Sequence, residues 1–150
     1  MTTIRPMRWW DIEQVQALEA QLFPVDRWST EQFWSELAQP TRRYVVACDG
    51  DLIAGYAGVF VLAPDADVQT IAVAPSAQGS GLGARLLEQL MRIAGDADCQ
   101  QLMLEVRSDN AAAIALYERF GFERISTRTD YYAPSIDALI MRKRPLRDGS

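Results

Sequence analysis

The chain has 150 residues, 49% of them hydrophobic, and a formal charge of −5; that is the size of one ordinary domain with a full core, and one domain over residues 1–150 is expected. The acidic balance argues against a nucleic-acid partner, because the phosphate backbone is held mainly by clustered Lys and Arg. No histidine is present, which removes Ser-His-Asp and Cys-His arrangements and the commonest metal ligand. No metal is expected, and any acid or base must be Asp, Glu, Tyr, Cys or the single Lys143.

Residues 2–6 read as a first strand. Asp11 is a plausible N-cap for a helix through Leu22, with Ile12, Val15, Leu18 and Leu22 at helical spacing, and Pro24 ends it. Ser29 with Gln32 resembles a capping box opening a second helix to about Ala38, with Phe33, Trp34 and Leu37 as its apolar residues. A hairpin follows, with Asp49-Gly50-Asp51 as its turn, and then a strand over about 68–73, which together suggest an antiparallel meander.

A helix over 81–95 carries Leu82, Leu86, Leu90 and Ala94 on one stripe, with Arg85, Glu88, Gln89 and Arg92 opposite, so it must pack on a sheet. Next come a strand at 101–106, a helix from about Asn110 stopped by Gly121, and strands near 122–129 and 136–143. The order predicts an α/β fold with a central, mostly antiparallel mixed sheet flanked by helices, and residues 144–150 read as a flexible tail. The longest uncharged apolar stretch, 52–63, is well short of the roughly 20 residues that span a bilayer, so no membrane is expected. Residues 1–6 lack secretory features, and Cys48 and Cys99 show no paired spacing. Both point to a cytoplasmic address.

The segment Gln78-Gly79-Ser80-Gly81-Leu82-Gly83 stands between Ile71-Ala72-Val73 and the long helix. Alternating glycines let backbone N–H groups converge on an anion, and the helix adds its positive dipole end, which makes a pyrophosphate cradle. Three ligands satisfy it. Gly79 to Ala84 formally fit the dinucleotide fingerprint, but five residues separate Val73 from the first glycine and the remaining chain is too short for a second mononucleotide half. A phosphate-binding P-loop would need a Gly-Lys-Ser/Thr that is missing. Coenzyme A is the third.

The spacing Val73-x-Pro75 followed by Gln78-x-x-Gly81-x-Gly83 resembles the acyl-CoA signature of the GNAT family of N-acetyltransferases. The run from Leu104-Glu105-Val106-Arg107-Ser108-Asp109-Asn110 through Tyr117 to Phe120-Gly121-Phe122 is similar to the ribosomal-protein alanine N-acetyltransferase subgroup. That resemblance implies the family's acyl-CoA N-acyltransferase fold, acetyl-CoA as co-substrate, and transfer to a protein N-terminus, the N-terminal alanine of a small-subunit ribosomal protein. It further implies that Ile71, Ala72, Val73, Gly79, Ser80, Gly81, Leu82, Gly83, Ala84 and Asn110 contact the cofactor, with Arg85 as a possible further phosphate contact.

By the same resemblance Glu105 is the proton acceptor and Tyr117 the proton donor. The plain alternatives are a surface carboxylate paired with Arg107 and a tyrosine packed beside Ala113 and Phe120. Asn110 is also a natural helix N-cap. Trp28, Tyr131 and Tyr132 are the acceptor-side candidates, and each could equally be a packing aromatic. Relatives are often basic where this chain has Gly79, which leaves phosphate recognition to backbone N–H groups and the helix dipole. Two further functions fit: acetylation of a small amine or lysine side chain, and a CoA-binding regulatory module without turnover.

Overall fold

A computed structural model describes residues 2–146. Seven strands lie in one mixed sheet of order β1-β2-β3-β4-β5-β7-β6, with four α-helices, which is the expected α/β fold. The strands are β1 (Thr2–Pro6), β2 (Arg42–Asp49), β3 (Leu52–Leu62), β4 (Asp65–Val73), β5 (Gln101–Arg107), β6 (Glu123–Ala133) and β7 (Ile136–Lys143). The helices are α1 (Ile12–Leu22), α2 (Thr30–Leu37), α3 (Leu82–Asp96) and α4 (Ala111–Arg119). Two compact units divide the chain: residues up to Phe60 with Gln69–Ile93, and Val61–Val68 with the residues from Ala94 onward.

In the first unit β1 and β2 pair antiparallel, as do β2 and β3 across the Asp-Gly turn, where Gly50 has φ 63°. Its core gathers Ile12, Val15 and Leu18 of α1, Phe33 of α2, and Tyr44, Val46 and Tyr56 of the strands. Ile12, Val15 and Leu18 are the residues whose helical spacing marked an inward face. Leu82, Leu86 and Leu90 of α3 are buried. The helix lies tight against the sheet, since a Cβ on Gly55 would come within 2.8 Å of the Ala72 carbonyl and 3.2 Å of the Leu86 side chain.

Asp11 differs from expectation. It stands at the N-cap position of α1, yet makes no capping bond there. Residues 9–11 form a 3-10 turn instead, and the Asp11 carboxylate accepts from the Arg8 N–H at 2.8 Å and from both guanidinium nitrogens of Arg5 at 2.7 and 2.9 Å. The carboxylate is drawn to the two-point, charge-assisted contact with Arg5 and to the amide that opens the 3-10 turn, and so turns away from the N–H groups of α1. The Ser29 box is as expected, with Ser29 N–H to Gln32 at 2.7 Å and Gln32 N–H to Ser29 Oγ at 3.2 Å.

In the second unit β4 and β5 run parallel from Asp65 opposite Gln101 to Asp67 opposite Met103, while β7 lies antiparallel to both β5 and β6. β4 begins earlier and β6 runs longer than the sequence suggested. The β6–β7 ladder slips between Arg124 and Ser126 and again between Arg128 and Ala133. Leu146 N–H donates to the Gln100 carbonyl at 3.1 Å, so part of the expected tail is hydrogen-bonded, and residues 147–150 lie outside the described residues. Among the described residues no helix is long and apolar enough to cross a membrane.

Candidate functional site

The glycine loop is one continuous segment of the first unit. β4 ends at Val73, a 3-10 turn spans Pro75–Ala77, and Gln78 through Gly81 are exposed before α3 begins. Gly79 and Gly81 have φ of 81° and 85°, and a Cβ at either would meet nothing within 4 Å. Glycine is required there by backbone conformation and not by crowding. The Gln78 amide donates to the Val73 carbonyl at 3.1 Å, and the Ser80 hydroxyl donates to the Ala77 carbonyl. The loop is thus tied to the strand it leaves, with the first N–H groups of α3 free of intrahelical partners.

Within this segment Ala72 and Leu82 are buried, so their side chains serve the core and only their backbone can meet a ligand. Ile71 and Val73 are half-buried. Gly83 and Ala84 form the first turn of α3, where N–H groups and dipole both favour an anion. Arg85, read as a further phosphate contact, donates from one guanidinium nitrogen to the Thr2 carbonyl at 3.0 Å.

The second unit carries the titratable groups. Leu102, Leu104 and Val106 of β5 are buried while Glu105 between them faces outward, as the strand's alternation required. The Glu105 carboxylate is 35% exposed and meets Arg128 Nη1 of β6 at 3.3 Å. Arg107 forms a two-point pair with Asp109, at 3.0 and 3.1 Å. The Arg107 guanidinium lies 5.2 Å over the Tyr132 ring and that of Arg128 lies 5.3 Å over Tyr131. The two tyrosines meet edge to face at 5.1 Å. Glu105, Tyr131 and Tyr132 are therefore brought together, with two arginines between them.

The electrostatics of this cluster follow from burial and from Glu105. Burial pushes the Tyr132 phenol up, and the Glu105 carboxylate adds to the shift. Asp67 of β4 is raised by burial first, then by Asp65 and Glu105. The hairpin bearing the tyrosines is fixed by its own polar bonds. Asp137 accepts from Asp130 N–H at 2.9 Å, Asp130 accepts from Ser135 N–H at 2.7 Å, and Ser108 Oγ accepts from Asp137 N–H at 2.9 Å.

Asn110 caps α4 through its side chain, accepting from Ala113 N–H at 3.1 Å. Tyr117, two turns on, packs its ring against Phe122 at 5.9 Å. Burial raises its phenol, which holds the hydroxyl in its protonated form through neutral pH. Gly121, with φ 91°, ends the helix as read from the sequence. Trp28 belongs to the first unit, where it is half-buried against Phe33 and Tyr44 at 5.3 and 6.4 Å. Its surroundings there are those of a packing aromatic.

Sequence reasoning missed Arg128 and Asp67. Both read as ordinary surface charges, and only the folded arrangement shows that both neighbour Glu105. It also missed Glu19, a 4% exposed carboxylate of α1 that accepts from the Tyr56 hydroxyl and, at 3.0 Å, from Trp28 N–H.

The model of the acetyltransferase (GNAT) family matches residues 9–122. The chain belongs to that family and is an N-acetyltransferase. It is 42% identical over 139 residues to a protein of Mycobacterium tuberculosis named N-alpha-acetyltransferase RimI, covering 89% of this chain and 86% of that one. An uncharacterised Mycobacterium leprae protein is also 42% identical over 139 residues, covering 89% of this chain, but the chain spans only 38% of that longer protein. The crystal structure of the ribosomal-protein-S18-alanine N-acetyltransferase of Escherichia coli superposes with a TM-score of 0.89 at 33% identity, covering 100% of this chain and 97% of that one.

Proposed function

We propose that this chain is a single-domain, acetyl-CoA-dependent N-alpha-acetyltransferase of the cytoplasm, acting on the N-terminal alanine of a small-subunit ribosomal protein. The observation that carries the reading is the outward-facing, half-exposed Glu105 beside Tyr131 and Tyr132: an acid framed by aromatic rings suits a chain-terminal ammonium. The similarity to proteins named for this activity supports the alanine, and the single family model running through both units supports one domain. The two buried, unpaired cysteines accord with a reducing compartment.

In this reading the backbone N–H groups from Gly79 to Ala84 hold the pyrophosphate of acetyl-CoA. Ile71 to Val73 offer strand backbone to its pantetheine, and an N–H near Val73 polarises the thioester carbonyl. Asn110 contacts the cofactor as well as capping α4. Glu105 takes one proton from the acceptor's ammonium, whose reference pKa lies near 8. The freed lone pair bonds to the thioester carbon, the tetrahedral oxyanion collapses, and the carbon–sulfur bond breaks. Tyr117 gives its proton to the departing thiolate and regains one, through solvent, from the nitrogen, which sheds its second proton as the intermediate collapses; an amide and free coenzyme A remain. Tyr131 and Tyr132 border the acceptor.

Incubation with acetyl-CoA and peptides differing only at residue one tests the proposal. Alanine-first peptides are expected to turn over fastest. A polyamine or aminoglycoside that outpaced every peptide would overturn the acceptor, and no turnover with any amine would overturn the enzyme.

A further inference from the structure

The geometry points to Arg128 as a positioning residue whose guanidinium holds the seat on Glu105 that the acceptor's ammonium must take. The inference rests on Glu105 as the proton acceptor. Glu105 of β5 stands opposite Ile140 of β7, and Ile140 in turn stands opposite Ser126 of β6. Arg128, two residues beyond Ser126 and so on the same face, reaches back diagonally to the carboxylate.

The character of the pair matters as much as its presence. Arg5 and Asp11 meet through two bonds of 2.7 and 2.9 Å against a carboxylate only 6% exposed. Arg128 reaches Glu105 through one contact of 3.3 Å, between side chains 56% and 35% exposed. A charge-assisted bond at full strength is shorter, and a single contact between half-exposed ions is readily broken. Of the Arg5–Asp11, Arg42–Glu36, Arg107–Asp109 and Arg128–Glu105 pairs, this last is the longest.

Displacement does not strand the guanidinium, because the Tyr131 ring already lies 5.3 Å beneath it. The β6–β7 ladder is irregular between Arg128 and Ala133, and the Tyr131 and Tyr132 rings of that stretch meet edge to face beside the two arginines. The other charged or titratable groups facing Glu105 are Asp67 from β4, Tyr132 from β6 and Arg107 on its own strand. Glu105 and Asp67 together favour a cation here, and Arg128 meets the Glu105 carboxylate directly. An incoming ammonium carries the same charge and the same N–H donors, so the two cations exchange on one carboxylate. Acceptor affinity is then set partly by how loosely Arg128 is held.

Steady-state kinetics of the full chain with acetyl-CoA and an alanine-first peptide test this. Arg128→Gln is expected to lower the peptide KM about fivefold, the scale of an exposed ion pair, with the acetyl-CoA KM unchanged. Arg128→Lys, which keeps the charge, stays near wild type. Guanidinium at millimolar, non-denaturing concentration then inhibits Arg128→Gln competitively against peptide and leaves the parent enzyme unaffected. A peptide KM unchanged or raised in Arg128→Gln overturns the inference, as does inhibition that is not competitive with peptide. Should Arg128→Gln fold poorly, a peptide KM in Arg128→Lys several-fold above wild type overturns it. Full activity in Glu105→Gln would instead remove the proton acceptor on which the inference stands, which separates the two failures.

Discussion

Replacing one Glu105 oxygen by an amide nitrogen preserves shape while removing the proposed proton acceptor. Glu105→Gln is expected to lower kcat by about 10²- to 10⁴-fold with the acetyl-CoA dissociation constant unchanged, the range for loss of a general base. Tyr117→Phe keeps the ring against Phe122 and is expected to lower kcat at unaltered melting temperature and cofactor affinity. A parallel loss of stability in Tyr117→Phe would mark it as a packing residue. Gly81, at φ 85°, resists any side chain. Gly81→Ala costs about 1–2 kcal/mol at the loop, read by calorimetry as weaker coenzyme A binding. At this scale the glycines, Asn110 and the outward face of Glu105 were legible, because each follows from local backbone rules. The ion partner of Glu105 was not, since Arg128 is placed by a register slip that no local pattern encodes.

Helix ends and buried polar ties decide how the elements seat. Ser29 and Gln32 were read correctly because a capping box is a matter of spacing within four residues. Asp11 was misread because its stronger partner, Arg5, comes from the preceding strand. Glu19 ties α1 to β3 and to the connection before α2 through Tyr56 and Trp28. Glu19→Gln turns one acceptor oxygen into a donor facing a donor, leaving a buried group unsatisfied. It is expected to lower the unfolding free energy by about 1–3 kcal/mol in urea titrations. A loss confined to peptide KM, at unchanged stability, would contradict that seating role.

For the whole molecule, the lack of histidine shapes its response to pH. No side chain has an ordinary pKa between 5 and 8, so stability is expected to be flat across that span. Asp11 sets part of the acid limb. Arg5, burial and the Arg8 N–H act on it, and the Arg5 hydrogen bonds dominate and hold its carboxyl below the usual range. A lowered folded-state pKa gives stability that is present above the unfolded value, about 3.9, and lost as pH falls through the folded one. Asp11→Asn should therefore reduce stability at neutral pH, and by less as pH falls below the usual carboxylate range, as thermal melts across that range would record. The Asp67 carboxyl, raised instead, works in the opposite sense, and Asp67→Asn should raise stability at neutral pH.

Lys143 is the only lysine in the sequence, and it lies near the end of β7 with its Nζ where a Cβ on Gly121 would come within 2.9 Å. An enzyme that activates acyl groups is exposed to its own reagent, and lysine amines are the side chains that such thioesters modify. This chain solves its surface cation requirement with arginine, whose guanidinium does not acylate under the same conditions. This chain therefore offers acetyl-CoA a single ε-amine, and lysine acetylation of the enzyme itself can be read at one position.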